Sequence, residues 1–372
     1  MERLPLYGYR ILDLTTAWAG AYATRLLADM GAEVIKVEAA NQRGELPTDV
    51  HNHVNRNKYA CTLDLDQARG RDLFLRLAAL SDVVVEDHRP QAPENPTLSY
   101  EDLRKVKGDI ILVSLPDDHA SDATYTTPAS GVAAAGAVAL AFWHRRRAGE
   151  GQHVEVSQRE TEAGLLGEHV LRFSMNADAR SGRLPRPMGN RHSSMVPHGC
   201  YPCLSGDHQW VTIAAEDDEQ FAALCRVMGR PELAADSRFA DVVSRHRNQG
   251  ELDGIVGEWT GHLTPQAVTE ALQAAGVAAA PVLGVPALFD DPHLRARGFW
   301  ESVSHPDAGT WDVDGVPWHL NRSPAHIRLP APRFGEHNEY VLRGLLGLSD
   351  EEMRELAEAG VIGGGPDPDV GA

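Results

Sequence analysis

The chain has 372 residues, 42% hydrophobic and 24% charged, the balance of an ordinary globular protein and long enough to favour two domains over one. Its 35 Lys and Arg face 53 Asp and Glu, a net charge of −18, which repels polyanions and argues against nucleic acid as a partner. The longest nearly apolar run, 132–143, is shorter than the roughly 20 residues a membrane-spanning helix needs, so no membrane partner is expected.

From the start, MERLPLYGYR has no apolar h-region, and no secretory leader is expected. RILDL (10–14) reads as a strand that runs into AYATRLLADMG, an apolar-periodic helix stopped by Gly31. EVIKV (33–37) and CTLDL (61–65) read as the next strands, and QARGRDLFLRLAAL (67–80) as an amphipathic helix. DVVVE (82–86) and DIILVSL (109–115) are Val/Ile runs of the buried, parallel-sheet kind. This alternation predicts a doubly wound α/β domain, with its ligand crevice at the carboxyl ends of the strands.

The stretch TYTTPASGVAAAGAVALAFWHRRRAGEGQ (124–152) predicts a helix capped by Thr127, with Pro128 at its first position. Its Gly and Ala content predicts a central, buried helix. HVEVS (153–157) follows as a strand, then a long helix from Gln158 to about Met175. ARSGRLPRPMGNRHSS (179–194) carries no periodicity and reads as a linker. A second α/β unit is expected from strand 209–214, helices at DDEQFAALCRVMG, 243–261 and 264–276, and strand 278–283. From about Pro306 the chain reads as loop-rich and closes with helices at 337–346 and 349–358 and a disordered GGGPDPDVGA tail.

Phosphate-binding glycine loops and the serine-hydrolase elbow lack their usual patterns. His198, Cys200, Cys203 and His208 have ligand-like spacing, but no second paired-cysteine knuckle exists, and no metal is assigned. With Cys61 and Cys225, the four cysteines form no dense framework and suit a reducing cytoplasm, the expected location. Asp117, Asp118, His119 and Asp122 follow the strand DIILVSL, where α/β proteins often place function, although an acidic surface loop explains them equally well.

RILDLTTAWAGAYATRLLADMGAEVIKVE, NRNKYACTLDLDQARGRDLFLRLAALSDVVVEDHRP, ALAFWHRRRAGEGQHVEVS, GNRHSSMVPHGCYPCLSGDHQWVTIA and PRFGEHNEYVLRGLLGLSDEEMRELAEAGVI resemble, in order, the family III CoA-transferases (CaiB/BaiF). The resemblance implies a large Rossmann-like domain and a small α/β domain in an interlocked dimer. On this chain the parts are the large domain over 1–185, a linker at 186–200, the small domain over 201–300, and a linker with return to the large domain over 301–372. It further implies attack of an aspartate on an acyl-CoA thioester through a mixed anhydride. No tightly bound cofactor is implied; coenzyme A or acyl-CoA would be substrate.

Counting back from HRRRAGEGQ, the family aspartate falls at Thr127, and the segment that ordinarily precedes it is missing. Asp122 is the stand-in carboxylate. The resemblance places the CoA pocket at Ala17, Trp18 and Ala19 in TAWAG, at Ala39 after the second strand, and at Leu63 and Asp66 in TLDLD. Asp66 stands where a lysine is usual, and Asp87 and His88 replace an Asn-Phe pair. Arg56, Lys58 and Arg89 remain as basic candidates, for which scaffold contacts are an equal explanation. Three functions stay open: a CoA-transferase using a displaced carboxylate, a non-catalytic subunit beside a catalytic paralogue, and a repurposed enzyme acting on a non-CoA substrate. The partners expected are a second copy of the chain, or that paralogue, and a small acyl substrate.

Overall fold

The short apolar runs of the first half become the strands of one sheet. The computed structural model describes residues 4–40, 48–87, 99–116, 126–175, 188–204 and 209–363. Strands β1 (Arg10–Asp13), β2 (Glu33–Glu38), β3 (Lys58–Thr62), β4 (Val83–Glu86), β5 (Ile111–Ser114) and β6 (His153–Glu155) lie in the order β3-β2-β1-β4-β5-β6. All neighbouring pairs are parallel. Helices α1 (Trp18–Asp29), α2 (Thr48–Val54), α3 (Ala68–Ala79), α4 (Tyr100–Val106) and α5 (Thr126–Ala148) connect them. Strand order reverses between β1 and β4, which makes their carboxyl ends the switch point of the sheet.

Period-2 alternation divides the core into two layers. Ile11, Val34, Val83, Val85, Ile111 and Val113 point to one face, under Ala19, Ala23 and Leu27 of α1 and Ala134, Val138 and Ala141 of α5. Leu12, Ile35, Val84 and Leu112 point to the other, under α3, α4 and the C-terminal helices. Small residues bring α1 and α5 together as the sequence suggests: a Cβ on Gly131 would stand 2.6 Å from the Ala19 carbonyl oxygen. Gly31 ends α1 with φ +102°, the left-handed conformation that only glycine adopts at little cost.

Residues Met1–Met175 with Ala296–Ala372 form one compact unit, and Asn176–Arg295 a second. In the second, β7 (His198–Pro202), β8 (Trp210–Ala214) and β9 (Ala278–Pro281) make an antiparallel sheet. Its core joins Tyr201, Val211 and Ile213 to Phe221, Leu224, Leu252, Val256, Val268 and Leu272.

Several expectations change. β3 covers Lys58–Thr62 rather than 61–65, because after Thr62 the backbone leaves the sheet: the Asp64 N–H donates to the Val361 carbonyl, 2.7 Å. The long helix after β6 is two, α6 (Gln158–Leu165) and α7 (Gly167–Met175), and glycines 164 and 167 flank the break. The helix expected over 243–261 divides at Asn248, into Val242–Arg247 and Gln249–Thr260. β10 (Trp300–His305) and β11 (Gly309–Asp314) form a hairpin, so the stretch read as loop-rich from Pro306 holds a strand. The helix at 337–346 is a π-helix over Glu339–Leu345.

The expected burial of α5 holds on one side only. Leu140 and Trp143 are 71% and 60% exposed, and α6 and α7 also leave Leu165, Leu171 and Met175 exposed. No helix among the described residues is long and apolar enough to cross a membrane. The tail from 364 and most of the linker assigned to 179–194 lie outside the described residues.

The α1–α5 contact leaves no room at Gly131, and the atom in the way is backbone. Gly131→Val should lower stability by about 1–3 kcal/mol in urea unfolding; an unchanged midpoint would show that the two helices are not held at this distance.

Candidate active site

Strand β1 ends in a buried aspartate that organises everything above it. Asp13 Oδ1 accepts from the Thr15 N–H (2.9 Å) and Thr15 Oγ1 (2.7 Å), and Oδ2 accepts from Thr24 Oγ1 (2.6 Å). Lys58, on β3, donates to Asp13 Oδ2 (2.8 Å), the Ala21 carbonyl (2.9 Å) and Asn55 Oδ1 (2.9 Å). Both charges are fully buried. From β2, Lys36 Nζ donates to the Thr15 carbonyl, 2.8 Å away.

Burial acts to raise the Asp13 pKa, but the charges of Lys58 and Lys36 and the bonds from Lys58 and Thr24 outweigh it and hold the carboxyl well below its usual range. Burial pulls the Lys58 ammonium down, with Asp13 opposing. Both act on a pair that each stays charged near neutrality. At the end of β2, burial raises the Glu38 pKa, against the Lys36 charge and the Gly335 N–H.

Above this network the chain turns into α1 without a side-chain cap from Ala17. The cap comes from the residue after β4: Asp87 Oδ2 accepts from the Thr16 N–H (2.7 Å) and the Ala17 N–H (2.6 Å). A carboxylate at a helix N-terminus satisfies two amides and meets the positive end of the helix dipole. Trp18 is half-buried beside it, and among the described residues its buried Nε1 has no hydrogen-bond partner. Ala19 is buried against α5.

Helix α5 begins at Thr126, so Thr127 lies in its first turn and is not the cap residue expected from the sequence. It is half-buried. Thr127 precedes Gly131 by four residues, which puts both on the side of α5 that meets α1.

Other sequence candidates sit elsewhere. Arg56 is buried and bonded to Asp29 (Nη2–Oδ2 2.9 Å) and to the Asp314 carbonyl. Arg25 joins the same cluster, 2.9 Å from Asp314 Oδ2 and 2.9 Å from His53 Nε2. Leu63 is a core residue. Asp66 is exposed in the turn before α3, and Ala39 is exposed after β2. His88, Arg89 and Asp122, with Asp117, Asp118 and His119, lie outside the described residues, as does His208. Cys200 and Cys203 are free thiols, the His198 ring nitrogen Nδ1 is 2.6 Å from the Asn190 carbonyl, and the described residues hold no group of three or more metal-ligand side chains suited to an ion.

The structure thus brings Ala17, Trp18 and Asp87 together at the switch point, with Thr127 one layer across. Lys58 and Arg56 lie beneath it, in the scaffold. Sequence reading missed Asp13, Lys36, Thr24 and Asn55. The signal was present: a charged residue interrupts each of the apolar strands RILDL and EVIKV.

Comparison with known proteins identifies the scaffold. The sequence model of CoA-transferase family III matches residues 6–117 and 119–338. The chain belongs to CoA-transferase family III. Among its family III relatives, the succinyl-CoA–L-malate CoA-transferase β subunit of Chloroflexus aurantiacus is 30% identical over 406 aligned positions, covering 96% of this chain and 98% of the relative. The α subunit of the same transferase is 28% identical, over 97% and 93%. A CAIB/BAIF family protein from Brucella suis has the same fold, with TM-score 0.78 and 25% identity over 92% of this chain and 100% of that one.

Asp13→Asn leaves the Lys58 charge buried without its counter-ion and should cost about 3–5 kcal/mol of stability by urea unfolding. A loss near zero would remove the pair from its central place. Because the folded pKa of Asp13 lies below its unfolded value of 3.8, its stabilisation is complete above that pH and is lost as pH falls toward the folded value. Wild type should therefore lose stability in that acid window, and Asp13→Asn should lose less there.

Proposed function

We propose that the chain handles acyl-CoA on the family III scaffold but has given up the aspartyl-anhydride route at the Thr127 position. One observation carries this reading: the family match is interrupted at residue 118, shortly after β5 and ahead of Thr127. The 406-position alignment is also longer than this 372-residue chain, so the relative has residues with no counterpart here. A threonine is a weak nucleophile without an adjacent base. Asp122 is the carboxylate nearest in sequence.

The CoA pocket is read as remodelled around Ala17, Trp18, Ala19 and Asp87. Arg56 and Lys58 commit their donors to Asp29, Asp314, Asp13 and Asn55, which favours scaffold roles for both. Asp66 and Asp87 add negative charge where a polyanionic ligand benefits from cations. Arg89 is the basic residue left to meet CoA phosphates.

The oligomer is part of the same reading. The apolar surface of α5, α6 and α7 is covered by a second chain in an interlocked dimer, whose large and small domains divide at the linker 186–200. That two of the matching relatives are α and β subunits of one transferase favours a heteromer with a catalytic paralogue as the second reading.

Calorimetry with CoA, acyl-CoAs and free carboxylic acids tests the proposal. Acyl-CoA should bind, and any CoA the chain alone releases when a carboxylate acceptor is added should be released undiminished by Asp122→Asn. Heat from carboxylic acids alone would replace it with a non-CoA enzyme. Acyl-CoA turnover by the chain alone that is abolished by Asp122→Asn, with binding retained, would show that a displaced aspartate keeps the route.

A further inference from the structure

Glu86, Ser114 and His153 come from three neighbouring strands, β4, β5 and β6. Ser114 Oγ lies 2.8 Å from Glu86 Oε1 and 2.9 Å from His153 Nε2. A serine hydroxyl has one proton to give. With Glu86 ionised, the hydroxyl donates to the carboxylate and must therefore accept from His153, which fixes the neutral imidazole as the Nε2–H tautomer. The two ends of this chain differ in their access to water. Ser114 and Glu86 are 5% and 8% exposed, whereas His153 is exposed. The His153 ring stacks on Tyr100, the first residue of α4, with centroids 5.8 Å apart. Glu86 immediately precedes Asp87, whose carboxylate seats the N-terminus of α1.

We propose that His153, Ser114 and Glu86 form a proton relay that makes Glu86 the proton donor to a ligand at the carboxyl ends of β4 and β5. The identity of that ligand as an acyl-CoA thioester rests on the function proposed above. A proton from water binds His153 Nδ1. The Nε2 proton passes to Ser114 Oγ as the serine's own proton passes to Glu86 Oε1. One N–H bond forms, one breaks, the hydroxyl is regenerated, and the net result is one proton moved from solvent to the buried carboxylate. When a carboxylate oxygen of the acceptor bonds to the acyl carbon, giving a mixed anhydride, the C–S bond breaks with its electron pair on sulfur. That sulfur takes the Glu86 proton, and Glu86 returns to carboxylate. The imidazole, left as Nδ1–H, returns to Nε2–H by exchange with water.

The relay requires the hydroxyl to reverse direction when Glu86 gains a proton, so the His153 tautomer must follow the state of residue 86. Among the described residues, Tyr100 of α4 stacks on His153, Glu101, Arg104 and Glu150 act on Tyr100, with Arg104 over its ring, and Glu155 is near His153 in sequence. All of these are unchanged in the variants that test the relay.

Long-range proton–nitrogen NMR on the full chain with labelled histidine reads which nitrogen of the neutral His153 ring carries the proton. Wild type should be Nε2–H. Glu86→Gln, whose amide imitates the protonated carboxyl by donating to Ser114, should invert the tautomer ratio by about tenfold, a free-energy change of about 1.4 kcal/mol. Ser114→Ala should remove the dependence on residue 86, and Ser114→Thr should keep it. A wild-type Nδ1–H tautomer, or a tautomer indifferent to Glu86→Gln, would overturn the relay. Acyl-CoA calorimetry is read separately: absence of heat there sinks the acyl-CoA reading, while the tautomer still decides the relay.

Discussion

Lys58 gives each of its ammonium protons to a different part of the large unit: the end of β1, the body of α1, and the residue closing α2. Its counter-ion, Asp13, spends its acceptors on the same turn, so the β1–α1 connection is fixed from both sides. Inside a protein such a pair survives only when every donor and acceptor is met, because the desolvation of two charges rivals their attraction. Here each donor of the ammonium is met. The turn that results is what allows Asp87 to reach the amides of Thr16 and Ala17, and what sets α1 at the distance from α5 that Gly131 permits.

The same network explains why two apparent binding residues are framework. In a chain of net charge −18, a run such as NRNK invites reading as an anion site. Its arginine and lysine are instead turned inward, one onto Asp29 and the other onto Asp13. What faces the switch point is Asp87, with Trp18 beside it. Among the described residues, the switch point therefore presents the Asp87 carboxylate and the Trp18 indole.

Much of this was legible in the sequence, for identifiable reasons. The four strands with continuous Val, Ile or Leu runs (β1, β2, β4 and β5) and the amphipathic helix α3 follow directly from the sequence pattern, and the ordered motifs carry the family. β3 was displaced because its first residues, Lys58 and Tyr59, look polar until the buried partner of the lysine is known. The β10–β11 hairpin was missed because WESVSH and GTWDVD are largely polar and only Val303 among their side chains is buried. The capping role given to Thr127 failed because α5 begins two residues earlier than read, at Thr126, within the usual uncertainty of a helix end. Pairing over long sequence distances, as between Asp13 and Lys58 or Ser114 and His153, leaves no local pattern to read.

The central claim is that the scaffold persists while its acyl-aspartyl chemistry does not. Intact-mass spectrometry of the chain, quenched after exposure to a saturating acyl-CoA, tests it most directly. The account predicts an unmodified mass with and without hydroxylamine. A hydroxylamine-sensitive acyl adduct that maps to Asp122 or Thr127 would contradict it.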